Sequence, residues 1–216
     1  MNLKNILEEL CNHYPIDIIS AEFLRDGGCT AYIVYSKTDK YLLKVIGGAF
    51  SDTIRQSIDI MVYLSKNAFP VPRIINTEKG KPYIFIIDND SEYIAVLYEF
   101  IVGEEPNIDE KAEEIGELTG RLHLIMQNYA GSLTVRGKQF FINRYISILK
   151  LKNYFEKKTV QYAALGSQLW ETVKDLPQGY CHGDLHRGLL ISSLDGSLTG
   201  VSNIPGSSVY EKYSML

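Results

Sequence analysis

The segment 180–188, YCHGDLHRG, is the densest run of reactive side chains in the chain: Cys181, His182, Asp184, His186 and Arg187 fall between apolar flanks. Three chemistries fit those residue types. His182 and His186 stand four apart, a spacing at which helical histidines share zinc. Against that, Gly183 disfavours a helix and no glutamate occupies the HExxH position. A polar loop that satisfies its own backbone groups is the second possibility. The third is a catalytic loop, with Asp184 accepting a proton from an attacking hydroxyl.

Two other places carry chemistry. Lys44 lies in the middle of YLLKVI, and strand alternation puts it on the same face as Leu42 and Ile46. A lysine on an apolar face is costly without an anion, and a nucleotide phosphate is one candidate. Gly27-Gly28 sits between two predicted strands. It reads either as a plain hairpin turn or as a loop bringing backbone N–H groups to phosphate oxygens. Neither GxxxxGK[ST] nor GxGxxG occurs, which excludes those two phosphate-binding motifs.

The elements that must position these residues follow from pattern. Residues 2–13 read as a helix with Leu3, Ile6, Leu7 and Leu10 on one face. Runs at 17–25, 30–36 and 41–46, broken by Asp26-Gly27-Gly28 and by 37–40, predict an antiparallel meander. A helix over 51–66 stops before Pro70 and Pro72. Strands at 82–87 and 92–102 flank a turn at Asp88-Asn89-Asp90. The second half is helical, over 109–127, 140–155 and 160–173, and finishes with a small hairpin ending at 198–202. A β-rich first half with one helix, followed by a helical half, is a two-lobe α+β pattern.

Composition sets outer bounds. With 216 residues, 45% of them hydrophobic, the chain can build a sizeable core, which excludes disordered and collagen-like classes. A net charge of −4 without a basic block argues against nucleic acid or an anionic membrane as partner. Cys11, Cys29 and Cys181 form no CxxC pair, the usage of a reducing compartment. Lys4, Glu8 and Glu9 interrupt the apolar pattern of the N-terminus, and no run reaches the roughly 20 apolar residues that span a bilayer. The expectation is a soluble, cytoplasmic protein.

HGDLH after a short strand resembles the catalytic loop of the aminoglycoside phosphotransferase and choline kinase family, which has a protein-kinase-like fold. The rest of the chain follows that family in order from about residue 19 to 202. Gly27-Gly28-Cys29-Thr30 resembles its nucleotide-covering loop and Lys44 its phosphate-binding lysine. Phe69-Pro70-Val71-Pro72 resembles its helix-to-strand junction, and Leu97 to Gly103 its adenine-contacting hinge. Gly116, Leu122 and His123 match its GxLxxxLH-like helix. The resemblance implies that Asp184 orients or deprotonates the acceptor hydroxyl. It implies that Lys44 holds the α and β phosphates, and that the backbone around Glu99 and Ile101 bonds adenine. It also implies ATP and Mg2+ as cofactors and a small-molecule hydroxyl compound as acceptor, with an N-lobe at 1–102 and a helical C-lobe at 103–216.

The sequence departs from the family at the metal. Leu189 stands where the family's loop has a magnesium-ligating asparagine, and Asn203 where it has an aspartate. Leucine offers no oxygen and asparagine no charge, whereas magnesium prefers anionic oxygen. Ser57, with Gln56 and Asp59 nearby, occupies the position of the glutamate that pairs with the lysine. After the hairpin only 206–216 remain, so the expectation is a truncated C-lobe with apolar helix surface open to self-association. Two functions follow: a working ATP-dependent small-molecule kinase, or a degenerate pseudokinase or fragment that binds nucleotide or serves as an interaction module.

Overall fold

The computed structural model describes residues 2–27, 29–47, 51–133, 136–152, 156–176, 179–180, 190–192 and 198–201, with backbone alone for 51–53 and 199–201. The chain forms two compact units, Met1–Gly131 with Tyr180–Leu216, and Ser132–Gly179.

The first unit is built on a five-stranded antiparallel sheet: β1 (Ile18–Gly27), β2 (Cys29–Ser36), β3 (Lys40–Gly47), β4 (Ile84–Asp88) and β5 (Ser91–Glu99), in the order β1-β2-β3-β5-β4. The meander predicted from the sequence is therefore present. β4 begins at Ile84 rather than 82, since Pro82 has no N–H to give a ladder. Asn89 and Asp90, at φ 48° and 60°, make the tight left-handed turn between β4 and β5.

Helix α1 (Leu3–His13) is opened by Asn2, whose side chain accepts from the Lys4 N–H. Its Ile6 and Leu10, one turn apart, are fully buried. Together with Tyr14 they join Tyr32, Val34, Leu43, Val45, Ile84, Ile86, Ala95 and Leu97 in one core cluster. Each such aliphatic side chain contributes about 1.5–3 kcal/mol. The cluster takes the odd positions of β3, so Lys44 is left for the opposite face.

Helix α2 (Ser51–Lys66) buries Ile54, Ser57, Ile58, Met61 and Leu64, a helical stripe. It ends where Ala68 turns left-handed (φ 54°) and the Phe69 N–H donates back to the Leu64 carbonyl at 3.0 Å. Helix α3 (Ile108–Met126) is capped by Asn107, carries Asp109 and Glu110 at its positive end, and buries Leu122 and Met126. The Tyr63 hydroxyl donates to the Ile125 carbonyl at 3.0 Å and Arg121 donates to the Ala68 carbonyl, tying α3 to α2 and to the chain leaving it.

The second unit holds a π-helical turn (Gln139–Asn143), α4 (Arg144–Leu151) and α5 (Glu156–Val173). The helix expected over 140–155 thus starts as a π turn, a distinction that apolar periodicity does not carry. Its Ile142 lies so close to α5 that a Cβ on Gly166 would stand 2.7 Å from Ile142 Cγ2. Back in the first unit, β6 (Leu190–Ser192) and β7 (Leu198–Val201) form the small hairpin expected near the end of the sequence.

Candidate active site: a buried lysine beside the hinge

Lys44 is in the middle of β3, opposite Ala31 of β2 and Val96 of β5. It is 5% exposed on a face where Ala31, Ile46, Ile94, Val96 and Tyr98 are also buried. That environment lowers its pKa to about 8. Burial is the main cause; the Cys29 thiol pulls the value up and the Arg25 guanidinium pushes it further down. Tyr98 brings its ring to 5.3 Å from Lys44 Nζ. From α2, Ser57 is buried and Asp59 is exposed.

Gly27 ends β1 at φ 154° and pairs with Cys29 across the hairpin. Its N–H donates to Asp26 Oδ1 at 3.1 Å, and the Thr30 hydroxyl donates to the same oxygen at 3.2 Å. The N–H expected to face a phosphate is therefore held by a carboxylate of its own loop.

Glu99 closes β5. Beyond β4, the outer edge of β5 is continued by Arg73 to Ile75: the Ile75 N–H donates to the Leu97 carbonyl at 2.8 Å and the Glu99 N–H to the Arg73 carbonyl at 2.9 Å. The Glu99 carboxylate also accepts from the Arg73 N–H at 2.9 Å and pairs with its guanidinium at 3.4 Å. Glu99 thus has its N–H and side chain committed to Arg73. The Ile101 N–H makes no backbone hydrogen bond among the described residues.

Two residues on, the chain meets β6. Glu104 and Ser192 exchange both backbone hydrogen bonds at 2.9 Å. Gly103 must lack a side chain here, since a Cβ would overlap Ile191 and the Ser192 carbonyl. This bridge ties the hinge to the strand that follows the polar loop. Leu190 pairs with Val201 at the open end of this hairpin.

The structure places Lys44 and Glu99 on one sheet, Ile101 on the segment that leaves it, and Gly27 at the β1–β2 turn. Gly28, Asp184, Leu189 and Asn203 lie outside the described residues. The sequence places Tyr98 and Gly103 within the hinge segment and Cys29 within the nucleotide-covering loop, but gives none of the three a role of its own. Strand register is the signal that would have found Tyr98: Leu42 lies opposite it, which makes it a same-face neighbour of Lys44. Among the described residues no group of acidic, histidine or cysteine side chains is arranged to hold a metal. The donor set at the two family positions, leucine and an uncharged amide, does not fit Mg2+.

A five-stranded sheet bearing a buried lysine, a hinge strand and a following helical region define the protein-kinase-like fold. The model of the phosphotransferase enzyme family matches residues 24–201, and the chain belongs to that family. Among solved structures it is similar to an amicoumacin kinase in complex with AMP-PNP, Ca2+ and Ami (20% identity, TM-score 0.70). That match covers 92% of this chain and 62% of the other. It is also similar to a microcompartment-associated aminopropanol kinase (17%, TM-score 0.74, 91% and 67%). A third is the choline kinase LicA from Streptococcus pneumoniae (18%, TM-score 0.62, 93% and 67%). The chain thus spans about two thirds of the length of these proteins. No described helix is long and apolar enough to cross a membrane.

Proposed function

We propose that the chain is an ATP-dependent phosphotransferase that passes the γ-phosphate of ATP to a hydroxyl of a small molecule. The observation that carries this is Lys44, a lysine buried mid-sheet on the face beside the hinge, in a chain of the phosphotransferase family. In this reading Lys44 meets the α and β phosphates, and the turn at Gly27 and Gly28 covers them. The Glu99 carbonyl and the Ile101 N–H bond the adenine edge. Asp184 is the catalytic residue: it takes the acceptor proton while the acceptor oxygen bonds to the γ-phosphorus and the bridging oxygen leaves with ADP. The lobes are 1–102 and 103–216, the acceptor is a small molecule rather than nucleic acid or membrane, and the setting is the cytoplasm. Self-association through the exposed apolar positions of α5, such as Leu165 and Leu169, belongs to the same proposal.

Leu189 and Asn203 favour a second reading, a nucleotide-binding pseudokinase without turnover. Leucine and an uncharged amide do not fit Mg2+. Asp184→Asn separates the readings. The first predicts that ATP consumption with a panel of hydroxyl acceptors falls by about 10²–10⁴-fold while ATP binding persists. Absence of consumption by the parent chain with every acceptor would leave the second.

A further inference from the structure

We propose that the Tyr98 ring is a positioning group for Lys44, presenting its π face to Nζ and favouring the ammonium where the side chain meets a nucleotide's phosphates. The inference rests on the nucleotide-binding reading above. It starts from register. Leu42 lies opposite Tyr98 and Val96 opposite Lys44, so Lys44 and Tyr98 are diagonal neighbours on one face of an antiparallel pair. At that spacing long and aromatic side chains reach one another. Nζ stands 5.3 Å from the ring centroid, inside the roughly 6 Å range in which a ring quadrupole attracts a cation. Tyr98 is 8% exposed and Lys44 5%, so the contact is desolvated, the condition under which it is strongest.

The ring is neutral throughout the working range. Burial, then the nearby Cys29 and Tyr14, push the Tyr98 hydroxyl well above its ordinary value. Burial pulls Lys44 the other way, towards the uncharged amine, and a π face opposes that loss. Cys29 on β2 favours the ammonium and Arg25 on β1 disfavours it. On α2, Ser57 is buried, Asp59 is exposed, and Arg55 lies over the Phe85 ring at 5.9 Å. An aromatic partner has a consequence that a carboxylate would not. It favours the ammonium without adding a negative charge to repel the incoming polyphosphate.

The test uses the whole chain with Tyr98→Phe, Tyr98→Met and a series of ring-fluorinated phenylalanines at position 98. Fluorination drains the π face stepwise at nearly constant shape, so this series carries the test if the Met variant does not fold. Lys44 titration is read without nucleotide, from the pH dependence of its acylation by an amine-reactive reagent followed by peptide mass spectrometry. ATP affinity is read at pH 6.5 and pH 8. Tyr98→Phe should match the parent. Tyr98→Met should lower the Lys44 midpoint by about one unit, which weakens ATP binding about fivefold at pH 8 and less than twofold at pH 6.5. The fluorinated series should move the midpoint down in step with fluorine number. Unchanged midpoints across the series, or a Phe variant as impaired as Met, would overturn the proposal. A midpoint that follows fluorination in a chain that binds no ATP at any pH supports the pairing and overturns the nucleotide reading instead.

Discussion

Lys44 is the residue at which sequence, burial and chemistry meet. Alternation within YLLKVI was enough to place it on an apolar face, and it is 5% exposed. Its partner ring was not legible, because Tyr98 lies 54 positions away and only the β3–β5 register brings the two together. The titration has a definite sign. The unfolded lysine titrates near 10.5 and the folded one near 8. Between those values the unfolded chain holds a proton that the native chain does not, so stability rises with pH across that window. The full rise is about 3 kcal/mol. Denaturant unfolding of the parent and of Lys44→Met at pH 7.5 and pH 10 reads most of it: the parent should gain about 2 kcal/mol relative to the variant. Equal pH dependence in the two would refute the buried-lysine account.

At the scale of elements, short-range signals were read well. The hairpin breaks, the turn at Asp88 to Asp90 and the end of α2 before Pro70 are all written in local turn and breaker chemistry. Features that depend on an approach between distant segments were not. The π turn at Gln139–Asn143 has the apolar spacing of an ordinary helix. Gly103 looks like any loop glycine until β6 is seen against it. Gly103→Ala should force the hinge away from β6, because the obstacle includes the Ser192 backbone carbonyl as well as the Ile191 side chain. A loss of about 1–3 kcal/mol is expected, as for other overpacked sites, with ATP affinity falling in parallel. Thermal melts and a binding titration on one preparation check it. An Ala variant that melts and binds like the parent would show that the Glu104–Ser192 bridge does not set the hinge.

For the whole molecule, order along the chain was the strongest evidence available in the sequence. Glycine turn, lysine strand, hinge and polar loop succeed one another as in the phosphotransferase enzyme family, whose match spans residues 24–201. Leu189 and Asn203, the positions at which the sequence departs from the family's metal ligands, lie outside the described residues. Restoring them with Leu189→Asn and Asn203→Asp should make ATP binding tighter in the presence of Mg2+, by tenfold or more. A double variant whose ATP affinity ignores Mg2+, as in the parent, would show that these two positions are not the metal ligands. The acceptor was not legible, because no spacing or residue type points to one hydroxyl compound over another.

The most direct measurement is the thermal stability of the parent chain and of Lys44→Met as ATP is added, with and without Mg2+. ATP at about 100 times its dissociation constant should stabilise the parent by roughly 2.7 kcal/mol, with little added by Mg2+, and Lys44→Met should show no shift at the same concentration. A parent chain unmoved by ATP in either condition, or a Lys44→Met variant shifted as far as the parent, would contradict the account.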